Sequence, residues 1–281
     1  MINFHKVKSP KISMALLVKN EIDIIEKNIR FHSKMGVDSF VIMDNNSDDG
    51  TYEKLKELSK EFEITLIQNK EPYKQSKFMT YLTKLAKKKY NPNWIINSDA
   101  DEFWVSKEGL KKSLQIKGSV LQIPRYNMTL YKGLSNWWES EYKVVNQVLY
   151  KEGEPNIILG KIGRKVIINP KGYLKTNSGN HSAEHLLFWQ KREFREIEIF
   201  HYPIRSYEQF EKNIKNRAAL LKIGAKMGNH YKMWAKAYEQ NRLKEEFEKI
   251  IFDKEKLKCL EDVNIIKKDS TIKEMFEKFK I

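Results

Sequence analysis

The sequence holds one cysteine, Cys259, in 281 residues. A single thiol excludes an internal disulfide and agrees with a reducing compartment. Long apolar runs are missing too, and none approaches the roughly 20 residues that cross a bilayer as a helix. Near the N-terminus, Lys6, Lys8 and Lys11 are followed only by a short apolar stretch, Met14 to Val18, which makes a poor secretory signal. A cytoplasmic protein is therefore expected. No glycine-rich phosphate loop follows the first apolar run, which argues against a dinucleotide dehydrogenase and against a P-loop NTPase. There is no internal repeat and no low-complexity linker. Acidic residues are in deficit, with 37 Asp and Glu against 52 Lys and Arg and a formal charge of +15. Such a surplus suits a polyanionic partner, or peripheral contact with an anionic membrane face. The lysines are spread along the whole chain and no DNA- or RNA-binding signature is present, so a nucleic acid partner is not expected.

Apolar residues make up 41% of the chain, enough for a real core. Ile12 to Val18 reads as a buried strand, and Ile22, Ile25, Ile29 and either Phe31 or His32 then recur at helical spacing with Gly36 as a stop. Phe40 to Met43 is a second strand, ending in the turn-rich run Asp44-Asn45-Asn46-Ser47-Asp48-Asp49-Gly50-Thr51. A helical face at Tyr52, Leu55, Leu58 and Phe62, a strand at Ile64 to Ile67, a helix from Phe78 to Lys89 and a strand from Trp94 follow. Alternation of this kind predicts an α/β fold with a mainly parallel sheet, whose ligands bind in the loops at the strand C-termini. Beyond Leu110 the pattern changes. Val120 to Ile123, Lys143 to Tyr150, Ile157 to Ile168 and Glu196 to Phe200 read as strands between aromatic-rich loops. Ser206 to Gln209 then forms a capping box, and the rest of the chain is charged amphipathic helix. The expected division is a domain over 1–205, with a nucleotide-binding half at about 10–110 and a mixed acceptor half at about 111–205, followed by a helical extension over 206–281.

The richest stretch is Trp94-Ile95-Ile96-Asn97-Ser98-Asp99-Ala100-Asp101-Glu102-Phe103-Trp104. An apolar run ends there in three carboxylates. If the segment stays extended, Asp99 and Asp101 share a side and Glu102 points away. Neighbouring carboxylates repel and are costly to desolvate unless a cation sits between them. Mg²⁺ or Mn²⁺ suits such a pair, completed by substrate phosphates.

Taken in order, Val18-Lys19-Asn20-Glu21, then Val41 to Thr51, then Asp99-Ala100-Asp101-Glu102-Phe103 resemble the family 2 glycosyltransferases of the GT-A fold, in particular a bacterial subgroup with Asp-x-Asp-Glu-Phe. His201-Tyr202-Pro203-Ile204-Arg205 and Gly228-Asn229-His230 are similar to that subgroup as well. The resemblance implies inverting transfer of a sugar from a nucleotide diphosphate donor, a UDP-sugar, to a glycan or glycolipid acceptor. It implies a divalent metal on the diphosphate. Asp44 would hold the base or ribose beside Asn20, Glu21 and Asn46, with Gln75 and Lys77 near the donor. Asp99 would face ribose and metal, and Asp101 would bind the metal. His201 would be a late ligand, with His181 as its substitute, and Arg205 and Lys212 would neutralise the diphosphate. For the base that takes the acceptor proton, Glu184 is the first candidate and Glu102 the second.

Other readings compete. His181-Ser182-Ala183-Glu184-His185 fits the His-x-x-Glu-His pattern of inverted zinc peptidases, which needs a helix, but Ser178-Gly179-Asn180 is a poor lead-in. Metal-dependent nucleotidyl transfer or nuclease chemistry also uses clustered acids. A non-catalytic glycan- or membrane-binding protein is a third option, with Trp137-Trp138 as its aromatic platform.

Overall fold

The computed structural model describes residues 7–72, 74–147, 157–222, 224 and 227–281. Its elements run β1 (Ile12–Val18), α1 (Ile25–Met35), β2 (Ser39–Asp44), α2 (Thr51–Leu58), β3 (Ile64–Gln68), α3 (Gln75–Tyr90), β4 (Trp94–Ser98), β5 (Glu102–Val105) and α4 (Leu110–Ser113). Seven short strands follow in a mixed region: β6 (Val120–Ile123), β7 (Arg125–Asn127), β8 (Tyr142–Val144), β9 (Lys165–Ile168), β10 (Tyr173–Thr176), β11 (Ala183–His185) and β12 (Arg192–Glu193). Next come β13 (Glu198–His201), α5 (Tyr207–Lys222), α6 (Asn229–Glu239), α7 (Leu243–Ile250), α8 (Lys254–Asp262), β14 (Ile266–Lys268) and α9 (Thr271–Phe279). The chain forms two compact units, one of residues 1–125, 163–200 and 279–281, the other of 126–162 and 201–278.

The first unit is built on a seven-stranded sheet in the order β12-β6-β9-β4-β1-β2-β3. β4, β1, β2 and β3 are parallel neighbours, while β9 runs antiparallel to both β4 and β6. The expected α/β class with a mainly parallel sheet is therefore what the structure has. Strands β1, β2 and β4 are buried almost throughout, as parallel strands covered on both faces must be. On one face α3 presents Phe78, Met79, Leu82 and Ala86 to Ala15, Val41, Met43 and Ile95. Helix α1 buries Ile25, Asn28, Ile29, His32 and Met35, a stripe at three- and four-residue spacing. It ends where Gly36 takes the left-handed conformation (φ 104°) that a side chain rarely adopts.

The second unit has its own core. Leu130, Val144, Ile158, Phe210, Trp234, Phe247, Leu260 and Ile266 pack together there. β14 pairs antiparallel with β8, so Ile266 lies opposite Val144. Trp137 and Trp138 belong to this packing: Trp137 meets Tyr202 edge-on at 4.7 Å, and Trp138 stacks on Phe276 at 6.2 Å.

Two expected strands are shorter than their apolar runs. Ile157 to Ile168 splits into a 3₁₀ turn at Ile157–Leu159 and strand β9, because Gly160 N–H closes the turn onto the Ile157 carbonyl at 3.1 Å. From Lys143 to Tyr150 only the start is strand, in β8, and residues 148–150 lie outside those described.

Candidate active site

The acidic stretch is not extended. Residues 100 and 101 form a turn between β4 and β5, and Glu102 N–H donates to the Asp99 carbonyl at 3.3 Å. The strand alternation expected for Asp99, Asp101 and Glu102 therefore does not apply. The turn is held from α1, where the Asn28 amide donates to the carbonyls of Ala100 (2.8 Å) and Glu102 (3.1 Å). His32, one helical turn on, accepts Trp104 N–H at its Nε2 (3.1 Å), so its Nδ1 carries the proton and donates to the Asn28 carbonyl at 2.9 Å. Burial pushes the His32 pKa down to about 3, and the ring is neutral.

Glu102 turns back beneath the loop instead of pointing away. One carboxylate oxygen accepts Asp99 N–H at 3.1 Å, and the other meets Arg125 at 2.7 Å and Lys165 Nζ at 3.2 Å. Lys165 also donates to Asp99 Oδ2. Glu102 is fully buried and Lys165 is 1% exposed, while the Asp99 side chain is 33% exposed. Sheet register brings these groups together. Ile96 pairs with Ile167 and Ile123 with Lys165, so Lys165 enters the sheet beside the end of β4 and two residues before Arg125 in register. Burial raises the Asp99 pKa, and the Lys165 ammonium works against that rise. Burial pulls Lys165 down, but Asp99 and Glu102 outweigh it and hold the ammonium above its ordinary value. Two cations thus answer two carboxylates under the loop.

The loops after β1 and β2 are laced to each other. Val18 pairs with Asp44 across the parallel strands. The Asp44 carboxylate accepts Ser47 N–H at 3.1 Å and also takes the Ser47 hydroxyl. Asn20 N–H donates to Ser47 Oγ (2.9 Å), Asn20 Oδ1 accepts Asp48 N–H (3.0 Å) and Glu21 N–H donates to Thr51 Oγ1 (2.9 Å). Asn20 and Asn46 both adopt left-handed backbone, which asparagine tolerates better than most residues. Asn20, Glu21 and Asp44 are therefore laced into one rim, with Asn46 in the same loop, at the C-terminal ends of parallel strands, where α/β sheets bind ligands.

The β10–β11 hairpin supplies a third group. Its connecting loop is fixed by Gln75, whose Oε1 accepts Gly179 N–H at 2.8 Å. Asn180, fully buried, donates to Asp99 Oδ1 at 3.2 Å, and its own Oδ1 is buried without a hydrogen-bond donor. His181 Nδ1 lies 2.7 Å from the Arg164 carbonyl, which makes Nδ1 the protonated nitrogen and leaves the lone pair on Nε2. Burial lowers the His181 pKa, so the ring stays neutral. The imidazole is gripped by glycines: a Cβ on Gly163 would stand 2.7 Å from Nδ1, and one on Gly179 would collide with Cδ2.

Asp99, Asp101 and His181 therefore belong to one unit, with Asn180 bonded to Asp99, but His201, Arg205 and Lys212 belong to the other. His201 Nδ1 bonds Asn127 Oδ1 at 2.6 Å, and the Arg205 guanidinium is buried against the Tyr202 carbonyl at 3.2 Å. Lys77 pairs with Glu71 at 3.2 Å on the surface. Glu184 pairs with Lys175 at 2.9 Å on the outer side of the hairpin. Glu102, with both oxygens engaged, has no freedom to take a proton from an acceptor. His185 lies on a strand and bonds the Asn169 carbonyl, so the helix that a His-x-x-Glu-His zinc site needs is missing. Lys165, Arg125, Asn28 and Asn180 were not identified from the sequence. The one trace was a lysine opening the apolar run Val166-Ile167-Ile168.

Among the described residues, no group of three or more His, Cys, Asp or Glu is placed to hold a metal. Asn180 Oδ1, buried beside Asp99 without a donor, is the feature that fits a hard cation sharing its coordination with substrate phosphates and water.

The profile of glycosyltransferase family 92 matches residues 13–251. No curated protein matches the chain. Among solved structures, the chain is similar to S. aureus TarS 1-349 in complex with UDP-GlcNAc, at 13% identity and a TM-score of 0.47 over 83% of this chain and 72% of that one. It is similar to GalNAc-T7 with UDP, GalNAc and Mn²⁺, at 10% identity and a TM-score of 0.43 over 69% and 44%. HddC from Yersinia pseudotuberculosis follows at 12% identity and a TM-score of 0.38 over 71% and 96%.

Proposed function

The chain belongs to glycosyltransferase family 92, and from that premise we propose that it moves a sugar from a UDP-sugar to a glycan or glycolipid, with inversion and with Mn²⁺ or Mg²⁺ on the diphosphate. The family number differs from that of the sequence resemblance, and the activity class is common to both. One observation carries the reading: the acid loop after β4 and the laced rim after β1 and β2 lie at the C-terminal ends of neighbouring parallel strands. In this reading the rim at Asn20, Glu21, Asp44 and Asn46 takes the nucleoside, and Asp101 and Asp99 face the diphosphate. Gln75 acts by holding the hairpin loop, with Lys77 at the rim of the donor pocket.

When bound, the metal would supply charge stabilisation for the departing nucleoside diphosphate. Asp101 would hold it, with Asn180 Oδ1 and His181 Nε2 as further donors. Lys165 and Arg125 keep Asp99 and Glu102 from repelling each other, so the loop keeps its shape before the donor arrives.

The test is thermal unfolding with nucleoside diphosphates, with and without Mn²⁺. A ligand that binds only the native state raises the melting temperature. UDP should give a shift that needs Mn²⁺, and Asp101→Ala should lose it while melting as the wild type does without ligand. A metal-independent shift, or an unchanged shift in Asp101→Ala, overturns the assignment of Asp101.

A further inference from the structure

Among the described residues, half of the large apolar side chains that stand exposed lie in one short stretch. Leu174 is 42% exposed, Leu186 53%, Phe188 72% and Trp189 64%. All belong to the first unit. Strand alternation puts Leu174 and Leu186 on the outer side of the β10–β11 hairpin, since Tyr173, Ala183 and His185 are buried. Phe188 and Trp189 meet edge-on at 5.2 Å just beyond it. The backbone that carries them is pinned. Gln190 N–H closes onto Leu187 at 3.1 Å, Lys191 N–H onto Phe188 at 3.1 Å, and the Gln190 carbonyl accepts Ser119 N–H at 3.4 Å. The rings are thus held outward by a fixed turn.

The surroundings are basic. From 171 to 195 the sequence has Lys171, Lys175, Lys191, Arg192 and Arg195 against Glu184 and Glu193. Both acids are paired, Glu184 with Lys175 and Glu193 with Arg164.

We propose that this hairpin edge is a membrane-docking surface, with Leu174, Leu186, Phe188 and Trp189 entering the headgroup boundary of an anionic bilayer and the flanking lysines and arginines binding its lipid phosphates. Aromatic rings at headgroup depth and cations beside them are what such a boundary selects. A sugar platform is a poorer match, because the leucines offer no face for stacking and the turn that carries Phe188 and Trp189 lies toward the opposite end of β4 from the acids. Gly118 lies between the Trp94 ring and the Gln190 carbonyl, which places the patch by the start of β4. Asp99 follows the end of β4, some five residues of strand or on the order of 16 Å away. A second copy of a chain carrying +15 would bring like charges together. The inference does not rest on sugar transfer.

The full chain is to be sedimented with vesicles of phosphatidylcholine alone and with phosphatidylglycerol added. Wild type should bind the anionic vesicles, weaken with salt, and lose on the order of tenfold or more in affinity when Phe188 and Trp189 are both changed to serine. Leu186→Ser should lose part of it, which guards against misfolding of the double variant. No binding by wild type, or equal binding by wild type and both variants, overturns the proposal. So does a double variant whose only change is a lost dimer on size exclusion. Vesicle binding without any nucleotide-dependent thermal shift would sink the sugar-transfer reading and leave this surface standing.

Discussion

Lys165 is a lysine with almost no contact with water, and it is paired with two carboxylates, Asp99 and Glu102. Removing one partner of a buried ion pair leaves a charge with nothing to compensate it, at a cost of about 3–5 kcal/mol. Lys165→Met should therefore destabilise the protein by about that much in urea unfolding, although methionine fills most of the same volume. A loss under about 1 kcal/mol would mean that water reaches the carboxylates and the network is not dry. The residue scale also shows where sequence reading stops. Asp99, Asp101 and Glu102 were legible because three acids after an apolar run are conspicuous in the chain itself. Their counter-ions were not, since Lys165 is 66 residues from Asp99 and meets it only through the pairing of β4 with β9. His181 was legible as a candidate. Its grip between Gly163 and Gly179 was not, because nothing in either glycine announces which ring it faces.

At the scale of elements, periodicity marked β1, α1, β2, α2, β3, α3 and β4 close to where they lie, since each buries a regular stripe against one sheet. What it missed is irregular backbone set by tertiary bonds. The turn at Ala100 and Asp101 depends on Asn28, which reaches it from α1, and a strand-like pattern gives no sign of that. Helix α1 carries a second consequence through His32. Its folded pKa, about 3, lies below the ordinary 6.5. The unfolded chain therefore binds this proton more readily, and the stability His32 gives is full above 6.5 and lost as pH falls toward 3. At about pH 4.5 the loss from this one group reaches about 3 kcal/mol. Protonation would also cost Nε2 its bond from Trp104 N–H and loosen the acid turn that Asn28 holds. His230, lowered to about 4, adds in the same direction. His32→Gln should be less stable than wild type near neutrality but should lose less between about pH 6.5 and 4.5. Parallel stability curves for the two proteins would show that His32 does not titrate in this way.

At the scale of the whole molecule, residues 206–281 were expected to be a helical extension following a domain that ends at 205. The chain instead builds its second unit from 126–162 and 201–278, joining segments far apart in sequence. Helical periodicity made α5 to α9 visible. The three-residue strand β14 is too short to show a period, and its partner β8 lies more than a hundred residues earlier. That pairing makes the C-terminal stretch part of a core. Ile266 is 1% exposed opposite Val144, and the Lys143–Asp269 ion pair, 2.7 Å long, closes the same edge. Phe276 packs against both Trp137 and Trp138. Deleting residues 263–281 would strip β8 of its partner and uncover both tryptophans, so the damage should spread through residues 126–162. Amide exchange is the measurement that separates an extension from a core component. In the truncated chain, protection at Leu130 and Val144 should collapse while β1, β2 and β4 keep theirs, because the first unit's sheet contains no residue from the deleted stretch and that unit loses only residues 279–281, where Phe279 packs edge-on to Phe31. If Leu130 and Val144 stayed protected, residues 263–281 would be an appendage after all, and the second unit would fold without them.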